Sequence, residues 1–255
     1  MDNFDFYISS NGYLIIPKYH IEYLVNFNES NIPSMPEATE ASVKIAGRDG
    51  DIVLGTVYEP MLFEIVCYTP DNLSLEEKIQ HERKINSFLN SIKNKTKTFA
   101  IEKDEKFYNV KYSGALTTIN YPKHIQFTIP LKSSNSFAMS LYETKIIGNE
   151  TKKSETIEPV GAIFTIRGPA LKPIITFNNY KMSYNENILE GNTVIINSKN
   201  STVTHFNSVT GVRTNAMLVY NHEFPKVING NNTLEVSSGI NDPSQIDVSW
   251  YDLKL

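Results

Sequence analysis

Several common chemical signals are missing from this 255-residue chain. It has one cysteine, Cys67, so neither an intramolecular disulfide nor a cysteine-based zinc site can form, which favours a reducing compartment. Long apolar runs are missing too, and the start lacks the basic and apolar segments of a secretory signal. We therefore expect a globular protein that neither enters a membrane nor is exported.

Catalytic and cofactor motifs are also missing. The sequence contains no Gly-x-x-x-x-Gly-Lys-Ser/Thr phosphate loop and no Gly-x-Ser-x-Gly nucleophile turn. Adjacent acids such as Asp104 and Glu105 fit a solvated turn better than the two facing carboxylates of a glycosidase. The histidines lack the close spacing of metal ligands: they are His20, His81, His124, His205 and His222. We predict no enzyme activity, no metal site and no cofactor.

Charge of either sign is modest. The chain has 24 Lys and Arg against 28 Asp and Glu, which gives a net charge of −4. Without a basic excess, it is not expected to bind nucleic acid by neutralising phosphates. The 40% apolar content is enough for buried cores, and the length favours two domains.

Short apolar and β-branched runs fill the first half. They occupy residues 52–57, 61–68, 98–101, 107–112 and 125–131, with polar or glycine-containing breaks between them. This pattern predicts strands of a sheet or sandwich. Cys67 lies within one of these runs, where a buried core thiol is the favoured interpretation.

One segment of the first half predicts a helix. Ser74 and Glu77 have the spacing of a capping box, in which the serine side chain and the glutamate side chain each bond the other residue's backbone amide. The helix is expected to end near residue 93, and a stripe of apolar residues along it predicts packing across a sheet. The stripe consists of Ile85, Phe88, Leu89 and Ile92.

The second half predicts strands at intervals of about ten residues, which is typical of an antiparallel sandwich or jelly roll. They cover residues 162–167, 173–177, 193–197, 202–206, 216–220, 233–236 and 246–251. Trp250 alternates with Ile246 and Val248, so burial is favoured over the alternative of a sugar-stacking platform. Residues 149–159 contain one apolar side chain, Ile157, and are expected not to pack. The sequence therefore predicts domains at 1–140 and 161–255, joined by a linker at 141–160.

The sharpest turn signal of the first half is Gly47-Arg48-Asp49-Gly50. Two glycines bracket a charged pair between two strand-like runs, which predicts a tight reversal where the backbone needs positive φ. The turn has no nucleophile, metal-ligand set or phosphate cradle. We therefore interpret it as a geometric feature.

Taken in order, these motifs resemble the distal tail protein (Dit) family of siphoviruses that infect Gram-positive bacteria. The resemblance rests on residues 45–50, 58–60, 85–89, 107–108, 127–131, 191–197, 228–236 and 248–251. Two departures are a charged linker and Ile228-Asn229-Gly230 at a turn where the family usually has Pro-Gly. The match implies a mainly β fold, with a β-sandwich-like N-terminal domain carrying one helix and a galectin-like or jelly-roll C-terminal sandwich.

The resemblance also implies a function. The N-terminal domain would form a homo-hexameric ring at the tail tip of the virion, joining the tail tube protein to the tail-tip protein, while the outer domain supports receptor-binding proteins. Such rings assemble in the host cytoplasm, and DNA passes through them without sequence-specific binding. Gly47, Arg48, Asp49 and Gly50 are then expected at a subunit interface. The alternative is a carbohydrate-binding module that contacts the host cell wall through the C-terminal sandwich, which a polysaccharide pull-down with residues 161–255 would test.

Overall fold

The fold is mainly β, as predicted. A computed structural model describes residues 4–44, 51–221 and 223–254. Over these residues the chain forms 27 strands, one α-helix and four short 3-10 helices. The chain divides between Leu141 and Tyr142 into two compact units.

The first unit contains eleven strands within the described residues. They are β1 (Phe6–Ile8), β2 (Tyr13–Ile16), β3 (Ile21–Val25), β4 (Ala38–Lys44), β5 (Asp51–Tyr58), β6 (Leu62–Tyr68), β7 (Lys97–Ile101), β8 (Lys106–Tyr112), β9 (Thr117–Asn120), β10 (Ile125–Ser133) and β11 (Ala138–Ser140). The helix is α1 (Leu75–Ile92), and 3-10 turns lie at Pro17–Tyr19 and Glu102–Asp104.

Seven of these strands close into a barrel. Their order is β8-β7-β1-β2-β3-β6-β10, and β10 pairs again with β8 from Leu131↔Tyr112 to Ser133↔Val110. A sandwich-like N-terminal unit was predicted. The pairing of β10 with β8 instead closes the sheet into a barrel. Alternating side chains fill the interior, because successive strand residues point to opposite faces. Phe63, for example, lies between Phe99 and Tyr108, with ring centroids 5.8 and 4.9 Å away.

Helix α1 packs its apolar stripe against this barrel core. The capping box is present: the Glu77 amide donates to Ser74 Oγ, and the Ser74 amide donates to the Glu77 carboxylate. Ile85, Phe88 and Leu89 are buried in the same core cluster as the barrel strands. The predicted helix and its buried face are both confirmed.

The second unit contains sixteen strands within the described residues. They are β12 (Thr144–Ile147), β13 (Thr151–Ser154), β14 (Val160–Gly161), β15 (Ile163–Arg167), β16 (Ala170–Leu171), β17 (Ile174–Phe177), β18 (Tyr180–Tyr184), β19 (Asn187–Ile188), β20 (Thr193–Asn197), β21 (Thr202–Phe206), β22 (Arg213–Asn215), β23 (Tyr220–Asn221), β24 (Lys226–Val227), β25 (Gly230–Ser238), β26 (Ile246–Trp250) and β27 (Leu253–Lys254). Short 3-10 helices lie at Met217–Val219 and Pro243–Gln245.

Two antiparallel sheets of the second unit share one core. One sheet has the order β12-β26-β15-β20-β21-β22 and the other β13-β25-β17-β18-β23. Phe164 of β15 meets Phe177 of β17 edge to face, with ring centroids 5.2 Å apart. Trp250 is 2% exposed in the same cluster, so its predicted burial is confirmed.

The structure corrects two details of the second half. Residues 141–160, predicted as a linker, contain β12 and β13, which pair with β26 and β25. Pairing with distant strands orders this polar segment without a local run of apolar residues. The strand predicted at 216–220 is instead the 3-10 helix Met217–Val219 followed by the short strand β23.

Candidate functional site

A β-hairpin forms a separate two-stranded sheet in the first unit. Its strands β4 and β5, which we call the hairpin arm, pair antiparallel from Ala38↔Tyr58 to Lys44↔Asp51. The register shifts between Ala41 and Ser42, so Leu54 is the extra residue of a β-bulge. The arm pairs with itself and with no barrel strand among the described residues.

The base of the arm is fixed to the first unit. Ser136 Oγ donates a hydrogen bond to the Tyr58 carbonyl at 2.7 Å. The Tyr58 ring lies 4.9 Å from that of Phe137, and the Glu59 amide donates to the Glu37 carbonyl. These contacts hold the point from which the arm extends.

One face of the arm is uncharged and mostly apolar. Because paired residues share a face, this face is formed by Thr39, Ala41, Val43, Ile52, Gly55 and Val57. Val43 and Val57 are 46% and 49% exposed, and the bulged Leu54 is 67% exposed. A two-stranded hairpin is only marginally stable in water. Exposed apolar surface on such an element is typical of a protein–protein contact.

The predicted interface residues Gly47, Arg48, Asp49 and Gly50 lie outside the described residues. They belong to the connection between Lys44 and Asp51, which are paired across the two strands of the arm. The predicted pairing of the flanking runs is therefore present. The interface role of the four residues stays a prediction.

A second surface, which we call the tyrosine groove, lies on the outside of the barrel. It has a volume of about 600 Å³. Its lining consists of Tyr13, Glu22, Leu24, Tyr68, Thr69, Pro70, Asp71, Tyr121 and His124.

The floor of the tyrosine groove continues into a row of directly opposed residues on five neighbouring strands. Tyr13 of β2 pairs with Leu24 of β3, Leu24 with Tyr68 of β6, Tyr68 with Gln126 of β10, and Gln126 with Ile119 of β9. Leu24 and Ile119 are 48% and 42% exposed. None of the five side chains carries a charge, so the row is an uncharged stripe across the sheet.

Hydrogen bonds fix the aromatic side chains of the groove. The Tyr68 hydroxyl donates to Glu29 Oε2 at 3.2 Å and accepts from Asn26 Nδ2 at 3.1 Å. The Tyr121 hydroxyl donates to Gln126 Oε1 at 3.2 Å. At one end of the groove, His124 Nδ1 lies 3.1 Å from Asp71 Oδ1. The groove is therefore largely set in shape before anything binds it.

The described residues contain no group of three His, Cys, Asp or Glu side chains arranged to hold a metal ion. No helix in the described part of the chain has the length and apolar character needed to span a bilayer. Cys67 is fully buried, and burial raises the pKa of its thiol. The thiol is a core residue, as predicted.

Sequence reasoning missed the tyrosine groove and two buried acids. The strands β2 and β3 that supply Tyr13 and Leu24 were not predicted, although their apolar residues alternate. Asp247 and Asp252 are buried in the second unit, where Lys145 and Arg167 pair with the first of them. Asp252 accepts hydrogen bonds from Ser154, Glu155 and Trp250, so both acids are tied to the core of the second unit.

Comparison with known proteins shows a similarity in the first unit. Residues 16–133 match the family model of the phage tail protein RIFT-related domain. The first unit is therefore similar to a phage tail domain. The matched residues include the hairpin arm and most of the tyrosine groove. No curated protein matches the sequence.

Two solved structures share the fold over both units. The crystal structure of the Dit protein of phage SPP1, described as a paradigm of hub adsorption apparatus in Gram-positive infecting phages, aligns with a TM-score of 0.64. The two chains are 11% identical, over 91% of this chain and 94% of that one. A chain of the phage p2 baseplate, in its activated conformation with Sr, aligns with a TM-score of 0.50 and 10% identity over 90% of each. The predicted resemblance to distal tail proteins is confirmed.

Proposed function

We propose that this protein is a structural hub of the phage tail tip, in which six copies close into a ring through their phage tail domains. The ring joins the tail tube protein to the tail-tip protein, and the second unit supports receptor-binding proteins. The observation that carries this proposal is the hairpin arm: the first unit, which is similar to a phage tail domain, extends an element whose apolar face is uncovered in the single chain.

The described residues carry exposed surfaces that are suited to assembly. A protein whose function is to hold others in place needs rigid units with exposed complementary faces. Two well-packed cores and a fixed arm base meet this need. We therefore assign the protein a non-enzymatic role.

The negative net charge of the chain is suited to a ring through which DNA passes. Six copies would together carry a charge of −24, six times the −4 of one chain. A negative wall repels the phosphate backbone and lowers the tendency of DNA to adhere to it. Transit without sequence-specific binding is the expected behaviour.

Light scattering on the purified protein tests the ring. A hexamer has a mass of about 173 kDa, six times the 28.9 kDa of one chain. We expect Arg48→Ala to weaken the hexamer, because Arg48 belongs to the connection between the two strands of the arm. Lys103→Ala, an exposed charge removed at another turn of the same unit, is the matched control and should leave the mass unchanged. An unchanged mass for Arg48→Ala would remove that residue from the interface, and a monomeric parent protein would contradict the ring.

A further inference from the structure

A closed ring needs two different surfaces on every copy. In a cyclic assembly of six, one surface of each subunit meets a different surface of the next, so the contact is heterologous. The hairpin arm supplies one of these surfaces if the proposed ring is correct, and the inference below rests on that proposal. The question is which surface of the neighbour receives the arm.

We infer that the tyrosine groove of one copy, with the uncharged row that continues it, receives the apolar face of the hairpin arm from the next copy. Both surfaces lie on the first unit. Each is open in the single chain, and each is exposed over several apolar side chains. The occupant of the groove is therefore a second copy of this protein.

The apolar face of the arm and the row across the barrel both lack charged side chains. The arm presents Thr39, Ala41, Val43, Ile52, Gly55 and Val57 on one face, without a charged side chain. The row across the barrel is uncharged as well, and the acids Glu22 and Asp71 line the groove beside it. Contact between the arm face and the row brings uncharged side chains together, and Asp71 beside the row is paired with His124 at 3.1 Å. Burial of an unpaired charge would be strongly unfavourable.

The lengths of the two surfaces are also compatible. Five strands spaced by about 4.8 Å make the row about 19 Å long. On the arm, Val43 and Val57 lie four pairs apart, which is about 13 Å at about 3.3 Å for each residue. The apolar face of the arm therefore fits within the length of the row.

The groove is suited to a protein contact because its aromatic side chains are already held in place. Tyr68 and Tyr121 are fixed by hydrogen bonds to Glu29, Asn26 and Gln126. Little side-chain freedom is lost when such a surface is covered. Tyrosine is also among the residues that contribute most to protein–protein binding.

The arm does not fill the groove of its own chain. Its base lies next to Met61 and Leu62, at the start of β6, whereas the groove lies at Tyr68, at the end of β6. Six residues of extended strand separate these two ends by about 20 Å. No described residue of the arm lines the groove, and both surfaces are exposed in the single chain, so we infer that a neighbouring copy brings them together.

Cysteine crosslinking tests this contact in the assembled protein. The native Cys67 is fully buried and does not react, so the full-length chain needs no other change. One variant carries Val43→Cys on the arm and Leu24→Cys in the groove. A short bismaleimide should then link neighbouring copies into a ladder of up to six chains on a denaturing gel. The matched control pairs Val43→Cys with Leu62→Cys, which is exposed on the same sheet at the far end of β6.

The mass of each variant, measured before crosslinking, separates the two proposals. A hexamer that gives the ladder with Leu24→Cys and not with Leu62→Cys supports the inference. A hexamer without the Leu24→Cys ladder, or with an equal ladder for Leu62→Cys, overturns the inference and leaves the ring intact. A product that stops at two chains indicates a symmetric pairing of arms and overturns it too. A protein that stays monomeric contradicts the ring itself.

Discussion

The carboxylate of Asp252 connects two segments of the second unit, residues 154–155 and residues 250–252. Its Oδ1 accepts hydrogen bonds from Ser154 Oγ at 2.5 Å and from Trp250 Nε1 at 2.9 Å, and its Oδ2 accepts from the Glu155 amide at 3.2 Å. All three donors lie in or beside strands of the two facing sheets. A buried charge is tolerated here because its oxygens are hydrogen-bonded.

Replacement of Asp252 by alanine should destabilise the second unit by about 2–4 kcal/mol, because Ser154 and the Trp250 indole would lose a buried acceptor. Urea unfolding followed by tryptophan fluorescence measures this directly, since Trp250 is the single tryptophan. Glu190→Ala, an exposed acid of the same unit, is the control and should stay within about 0.5 kcal/mol of the parent. An equal effect of both variants would contradict a special role for Asp252.

Asp5 makes the stability of the first unit depend on pH. Burial raises the pKa of its carboxyl group, but the hydrogen-bonded ion pair with Lys97 and hydrogen bonds from Thr98 outweigh burial and hold the pKa below its usual value. Because the pKa is lower in the folded state, the stabilisation is present above the pKa of the unfolded chain. It is lost as pH falls through the folded pKa.

We expect Asp5→Asn to lower the free energy of unfolding near neutral pH, because the ion pair with Lys97 is removed. The variant's stability should then fall less steeply than that of the parent between about pH 5 and about pH 2, where the parent loses this ion pair. Urea midpoints followed by circular dichroism across this range give the comparison. Glu59→Gln, which neutralises an exposed acid of the same unit, serves as the control. A variant whose acid decline parallels that of the parent would contradict this assignment.

Helix α1 is the element whose sequence signals and structure agree most closely. Its capping box lies at Ser74 and Glu77, and its apolar stripe faces the barrel core. Phe88 meets Phe6 at 5.1 Å and Tyr19 at 5.9 Å between ring centroids. Both signals depend on residues close together in sequence, which is why they could be predicted.

Phe88→Ala should cost about 3–5 kcal/mol, because it removes a fully buried ring and leaves a cavity beneath the helix. Leu75→Ala removes an apolar side chain of the same helix that is 76% exposed, and it should change stability by less than about 0.5 kcal/mol. Calorimetric unfolding of both variants tests the difference. Similar losses for the two would mean that the stripe does not anchor the helix.

Other elements could not be predicted because they are held in place by pairing with strands that lie far away in the sequence. Strand β13 exposes Thr151, Lys152 and Lys153 and buries only Ser154, yet it pairs with β25 about 80 residues later in the chain. The tyrosine groove poses the same difficulty. Its row joins Tyr13 to Gln126 through three intervening pairings, and no local pattern in the sequence indicates which strands become neighbours.

At the scale of the whole molecule, two well-packed units carry the surfaces and the arm through which copies of the chain would meet. The first unit supplies both the hairpin arm and the tyrosine groove, so in this account the ring depends on that unit. The second unit is a sandwich with its own core. This organisation matches the proposed division into a ring-forming unit and a unit that supports receptor-binding proteins.

Electron microscopy of the purified protein tests the central claim most directly. Class averages should show closed rings with six-fold symmetry and an open central channel, formed by particles of about 173 kDa, six times the mass of one 28.9 kDa chain. Particles without a channel, open filaments, or a rotational symmetry other than six-fold would contradict the ring.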